Sequence, residues 1–244
     1  GCCLFLSIGM LWAADEPDLR MLQQKAAQSR DMEGYVGVCK YLYQTEENPE
    51  LLLLYADSIH QLATKSKKPE QLVEYYIWAS EGNFIKGDFQ QGYALKRKAI
   101  ALAEKVGLKF AISQSCCDMG YYCNVDARYD SARYYFRKGL EAGEDLSEAG
   151  EACRTMLTNY ASSFLFEGKT DSALVYTIRA SERSAADKDT AMLIENLNQL
   201  GTIYRRKKDL ENCIANFEQA LHLCELRGNH NAVAFIYGNI ATAY

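Results

Sequence analysis

The chain has 244 residues, 48% of them hydrophobic and 24% charged, with only three prolines. Its 32 acidic residues outnumber its 27 basic ones, giving a formal charge of −5. With the lysines scattered rather than massed, that balance argues against phosphate-driven nucleic-acid binding. The scarcity of proline and of β-rich runs argues for an all-helical chain.

Residues 2–14 form an uncharged apolar run that Asp15-Glu16-Pro17-Asp18 ends abruptly. Thirteen residues are too few to cross a bilayer as a helix. The length and the small residues at Ala13 and Ala14 fit the hydrophobic part of a secretory signal, so residues 1–14 are expected to be a signal remnant. An apolar helix packed on the first hairpin is the alternative. Two helices follow, Leu19–Ser29 and Met32–Thr45. Asn48-Pro49-Glu50 then supplies a cap and a proline at the first helical position. It opens a third helix over 51–65, with its stripe at Leu52, Ala56, Ile59 and Ala63. Residues 15–72 are read as a divergent helical cap and first repeat.

From residue 73 to 233 the pattern repeats four times. The hairpins span about 69–107, 109–148, 150–186 and 190–228. They turn at Lys86-Gly87-Asp88, Ala127-Arg128-Tyr129-Asp130, Gly168-Lys169-Thr170-Asp171 and Lys207-Lys208-Asp209. In the last of them, Leu197, Leu200, Gly201 and Tyr204 fall on one helical face, and Cys213, Phe217 and Ala220 on another. A small residue recurs at Ser80, Gly120, Ala161, Gly201 and Ala241, at intervals of 40 or 41. Twelve places on stand Gly92, Ala132, Ala173 and Cys213; nineteen places on, Ala99, Gly139, Ala180 and Ala220. Three places on, the residues are Asn83, Cys123, Phe164, Tyr204 and Tyr244. Columns of constant size among drifting residues indicate stacked helical hairpins, with small side chains where helices cross. Residues 234–244 read as the first helix of a sixth hairpin. Its uncovered apolar face suggests that the natural chain continues, with more repeats, a membrane tether or an output domain.

Leu197, Leu200, Gly201, Tyr204, Phe217 and Ala220, with Cys213 in place of alanine, resemble the tetratricopeptide repeat. The period here exceeds that family's usual ~34 residues by about six. It is similar to the long-helix variety of bacterial signalling regulators and of the kinesin light chain. The resemblance implies an all-α, superhelical solenoid of antiparallel hairpins, whose first helices line a concave groove for a protein or peptide. By position, that groove holds Phe84, Tyr121, Asn124, Asn159, Asn198, Arg205 and Asn239, with Glu81, Thr158, Leu165 and Arg206 in the same columns. Asn159, Asn198 and Asn239 suggest an asparagine ladder that grips peptide backbone, broken where Asp118 and Gln199 stand. Packing asparagines are the alternative.

Catalysis is not expected. His60, His222 and His230 have no acid–base partner at suitable spacing, and no HExxH, GxSxG or phosphate-cradling glycine loop occurs. No metal site or cofactor is expected either. None of the nine cysteines forms CxxC. Cys116, Cys123, Cys213 and Cys224 fall on core columns and read as buried small hydrophobes, which is awkward for an exported protein. Cys117, on the inward face, is the thiol singled out for a reactivity test. The charge clusters 65–68, 96–98 and 205–208 read as solvated helix ends, with Arg205 and Arg206 set apart by their place on an inner helix. The expected function is a non-catalytic binding module, the periplasmic or membrane-tethered sensory or scaffold region of a larger regulator. A purely structural assembly or dimerisation scaffold is the alternative.

Overall fold

The computed structural model describes residues 18–46 and 48–242. The apolar run at 2–14 and Tyr244 lie outside them. The described residues form twelve α-helices and no strand: α1 (Leu19–Ser29), α2 (Met32–Thr45), α3 (Pro49–Ser66), α4 (Pro69–Lys86), α5 (Phe89–Val106), α6 (Lys109–Val125), α7 (Tyr129–Gly143), α8 (Gly150–Phe166), α9 (Thr170–Ala186), α10 (Thr190–Arg206), α11 (Leu210–Leu226) and α12 (His230–Ala241). The chain divides into two compact units, residues 1–95 and 96–244. Helix α5 begins in the first and ends in the second.

In the first unit α1 packs on α2, α2 on α3 and α3 on α4. Asp18, Asp31 and Asn48 start the first three helices by accepting backbone N–H groups of the first turn, which removes donors that a helix start would otherwise leave bare. Ala26, Val38, Leu42 and Leu52 form one apolar cluster of this unit. The stripe Leu52, Ala56, Ile59 and Ala63 is buried along α3.

In the second unit every helix from α6 to α12 packs on the next. The first helices of successive hairpins also touch directly, α6 on α8 and α8 on α10. They make one layer, with α7, α9 and α11 behind it. The small columns explain the close packing. Gly120 and Gly201 are buried, and a Cβ on Gly201 would lie 2.6 Å from the Phe217 ring, with Phe136 in the same place beside Gly120. Each glycine is therefore the gap that a phenylalanine sixteen residues later fills. A Cβ on Gly139 would instead collide with Met156 of α8, so that column serves the contact between hairpins. Ala132, Ala173, Cys213, Ala180 and Ala220 are fully buried.

One device recurs at the turns. Gly87, Ala127, Gly168 and Lys208, spaced like the repeat, all have positive φ, between 56° and 88°. The connections between hairpins use Gly107, Lys188 and Gly228 in the same way. Only the α7–α8 link departs: it has no such residue and carries a short 3-10 turn, Ser147–Ala149. The 41-residue interval is taken up there.

Candidate functional site

The open face of α6, α8, α10 and α12 carries most of the side chains that the repeat pattern assigned to a groove. Tyr121 is 37% exposed, and Asn159, Asn198, Arg205 and Asn239 are partly exposed. Two large apolar residues join them at the turn end of the layer, Val125 at 57% and Phe166 at 42%. The Phe166 ring lies 6.1 Å from that of Tyr129 at the start of α7.

Phe84 does not belong to such a face. It is buried in the first unit, with the Tyr93 ring edge-on at 5.2 Å and its own ring where a Cβ on Gly92 would sit. The resemblance placed it in the groove, but a bare glycine eight residues on draws the ring into the core. Glu81, Thr158 and Leu165 are likewise buried.

The asparagines bond mainly to each other's hairpins. The Asn239 Nδ2 donates to Asn198 Oδ1 at 2.7 Å, and the Asn124 Nδ2 donates to the Asn159 carbonyl at 2.9 Å. Asn124 is buried, and its Oδ1 has no hydrogen-bond partner among the described residues. Gln199, which interrupts the ladder, donates to Ser162 Oγ at 2.7 Å and accepts from the Thr177 hydroxyl at 3.2 Å. Beneath the layer, the Thr158 hydroxyl donates to Asn196 Oδ1 at 2.8 Å, and Asn196 Nδ2 to Ser184 Oγ at 3.1 Å. Buried amides of this kind fix neighbouring helices in register, because each broken bond would leave a polar group bare.

Lys96 overturns the reading of 96–98 as a solvated end. Its side chain is fully buried, and its Nζ donates to Asp118 Oδ2 at 3.0 Å. Lys96 stands sixteen residues after Ser80, in the column that holds Phe136, Thr177 and Phe217 elsewhere. Asp118 lies two residues before the small column, as Gln199 does. A polar residue in the phenylalanine column is thus met by a polar group on the next first helix, Lys96 by Asp118 and Thr177 by Gln199. Sequence reading missed this because it compared columns one at a time.

Charged ties run between hairpins in the second unit. Arg154 reaches Asp187 at 2.9 Å and Asp189 at 3.0 Å. Arg133 reaches Glu167 at 2.8 Å and lies 4.7 Å from the Phe164 ring centre. Arg206 donates to the Leu165 carbonyl at 2.8 Å, and Arg205 to the Thr242 hydroxyl.

The seven described cysteines are all buried and unpaired. Burial pushes the thiols of Cys39 and Cys116 up to about 12 and that of Cys117 well above its ordinary value. A thiol without thiolate is a poor nucleophile, so Cys117 is a core residue. No group of three His, Cys, Asp or Glu among the described residues could hold a metal ion. No helix among them is long and apolar enough to cross a membrane.

Solved structures share this architecture. The apo form of RapI superposes with a TM-score of 0.72 at 10% identity, over 92% of this chain and 63% of its own. Aspartyl phosphate phosphatase F from Bacillus subtilis gives 0.68 at 14%, over 92% and 62%. YrrB, described as a TPR protein with an unusual peptide-binding site, gives 0.55 at 14%, over 91% and 100%. The fold is TPR-like. The chain spans less than two thirds of the length of RapI and of phosphatase F. No family model matches the sequence, and no curated protein does.

Proposed function

We propose that this TPR-like chain is a non-catalytic module that binds a protein or peptide segment on the open face of α6, α8, α10 and α12. The observation that carries this reading is a division of labour within one layer. Polar groups beneath the face, such as Thr158, Asn196 and Gln199, are held by partners inside the fold. Above them Tyr121, Val125, Phe166 and the arginines remain accessible. Aromatic and arginine side chains on a rigid support are what a peptide site requires. Likeness to YrrB, whose description names a peptide-binding site, agrees with it.

The module serves as the sensory or scaffold part of a larger regulatory protein, exported or membrane-tethered, with its output outside these residues. Peptide-display selection against the protein tests the binding role. Enriched peptides should lose binding to Tyr121→Ala and Asn198→Ala variants that remain fully helical. If no peptide is enriched, or if both variants bind as before, the chain is instead a structural scaffold, the reading that the interlocked amides of Asn198 and Asn239 favour. Export is tested by fusing the natural leader region to a reporter that is active only outside the cytoplasm; a silent fusion removes the extracytoplasmic assignment.

A further inference from the structure

We propose that Tyr43, Glu74 and Trp78 of the first unit form a site for a methylated ammonium group. The proposal is independent of the peptide face in the second unit. It starts from a carboxylate without a counter-ion. Glu74, on α4, is partly buried. Its one hydrogen bond among the described residues comes from the Trp78 indole N–H, at 3.1 Å. No described lysine, arginine or histidine pairs with it. Desolvation pushes its carboxyl above the ordinary range, and the Trp78 bond opposes the rise. Cys39 of α2, whose thiol is raised first by burial and then by the Glu74 charge, marks the side of α4 on which the carboxylate lies. A carboxylate drawn out of water without a partner favours the arrival of a cation. Glu195, six residues before Gly201 as Glu74 is before Ser80, is also raised by desolvation, but it is exposed.

Aromatic rings supply the rest of the site. The Tyr43 and Trp78 rings stand 6.3 Å apart at 69°, two walls of a corner rather than a stack. Each is held from behind. Tyr43 packs on the cluster of Ala26, Val38, Leu42 and Leu52, and Trp78 on that of Ala56, Ala79 and Leu95. Both rings remain partly exposed, so a ligand can reach them. The corner spans the direct contact of α2 with α4. Aromatic faces attract cations, tryptophan most strongly, and the indole N–H keeps the carboxylate at the edge of that ring. The walls also select the cation. A primary ammonium has three donors and a guanidinium five, more than one carboxylate between two rings can satisfy. Methyl groups leave no donor bare and cover ring surface instead.

Trp78 itself reports the ligand. The chain has two tryptophans, and Trp12→Phe leaves Trp78 alone. In that full-length protein choline should change the tryptophan emission saturably. Its neutral isostere, with a tert-butyl group in place of trimethylammonium, should bind at least about tenfold more weakly, and ethanolamine should bind more weakly than choline. Glu74→Gln keeps an acceptor for the indole but removes the charge, so it should erase the advantage of choline over its isostere. Glu195→Gln should leave that advantage intact, and Tyr43→Leu should weaken choline several-fold. An acetylated trimethyl-lysine amide separates the sources of the group: binding tighter than choline points to a modified protein, weaker binding to a free molecule or lipid head group. No saturable response to choline, equal binding of the isostere, or an advantage that survives Glu74→Gln overturns the site. Tighter binding of ethanolamine overturns the methylated assignment. None of these results bears on the peptide face, which lies on other helices.

Discussion

A single atom decides several positions in this molecule. Ala127 occupies a turn where its counterparts are Gly87 and Gly168, yet its φ is 56°. A left-handed conformation costs a residue with a Cβ roughly 1–2 kcal/mol, while glycine loses about 0.5–1 kcal/mol through its freer unfolded state. Ala127→Gly should therefore stabilise the protein by up to about 1 kcal/mol, read as a raised urea midpoint with an unchanged slope. A lowered midpoint would mean that the turn is not strained. Cys116 poses the opposite kind of problem, a titratable atom with no water around it. Burial raises its thiol from 9.0 to about 12, so the folded state holds its proton where the unfolded state has released it. The stability this represents is complete below pH 9 and is lost as pH rises towards 12, at about 1.4 kcal/mol per pH unit. Between about pH 8 and pH 10.5, unaltered protein should lose more stability than Cys116→Ala. Parallel curves in denaturant titrations would show that this thiol is not the cause.

At the scale of the helix, the Lys96–Asp118 pair stands where two other hairpins place a phenylalanine, Phe136 and Phe217. Burying two charges is expensive, and removing one partner leaves the other uncompensated. Asp118→Asn should cost on the order of 3 kcal/mol, more than the same change at exposed Asp130, and the loss should be visible in thermal unfolding. Equal effects at the two sites would mean that water solvates Lys96 after all. The pair also marks the limit of what periodicity reveals. Helix positions and turns were legible because capping residues, glycines and the 40-residue columns each act locally. Asn48 with Pro49 opens α3, and the columns of small residues hold in the four hairpins from α4 to α11. Burial of Lys96 was not legible, because a lysine beside Arg97 and Lys98 looks like a solvated end until its column is aligned with Phe136. The same holds for the site. Tyr121, Asn159, Asn198, Arg205 and Asn239 came to one accessible face because that face follows from the helical period. Phe84 did not, because its direction is set by the empty space at Gly92, which lies on another helix.

Across the whole second unit, stability is a chain of nearest-neighbour terms, since each hairpin packs only on those beside it. This makes the consequences of a core lesion local. Gly201→Val would drive a branched side chain into the Phe217 ring, which lies 2.6 Å from where a Cβ would be. Phe217 is fully buried, clustered with Leu197, Leu200, Cys213 and Ala220, so it has little room to retreat. Overpacking of this kind costs about 1–3 kcal/mol. In a globular core that cost would be shared by every amide that opens in the same cooperative event. In stacked hairpins it should instead lower hydrogen-exchange protection in α10 and α11 first, then in α9 and α12, while α6 and α7 keep theirs. Uniform loss of protection from α6 to α12 would mean that the unit opens as one body. The column of small residues would then be a packing detail rather than the joint on which the two helices of each hairpin close.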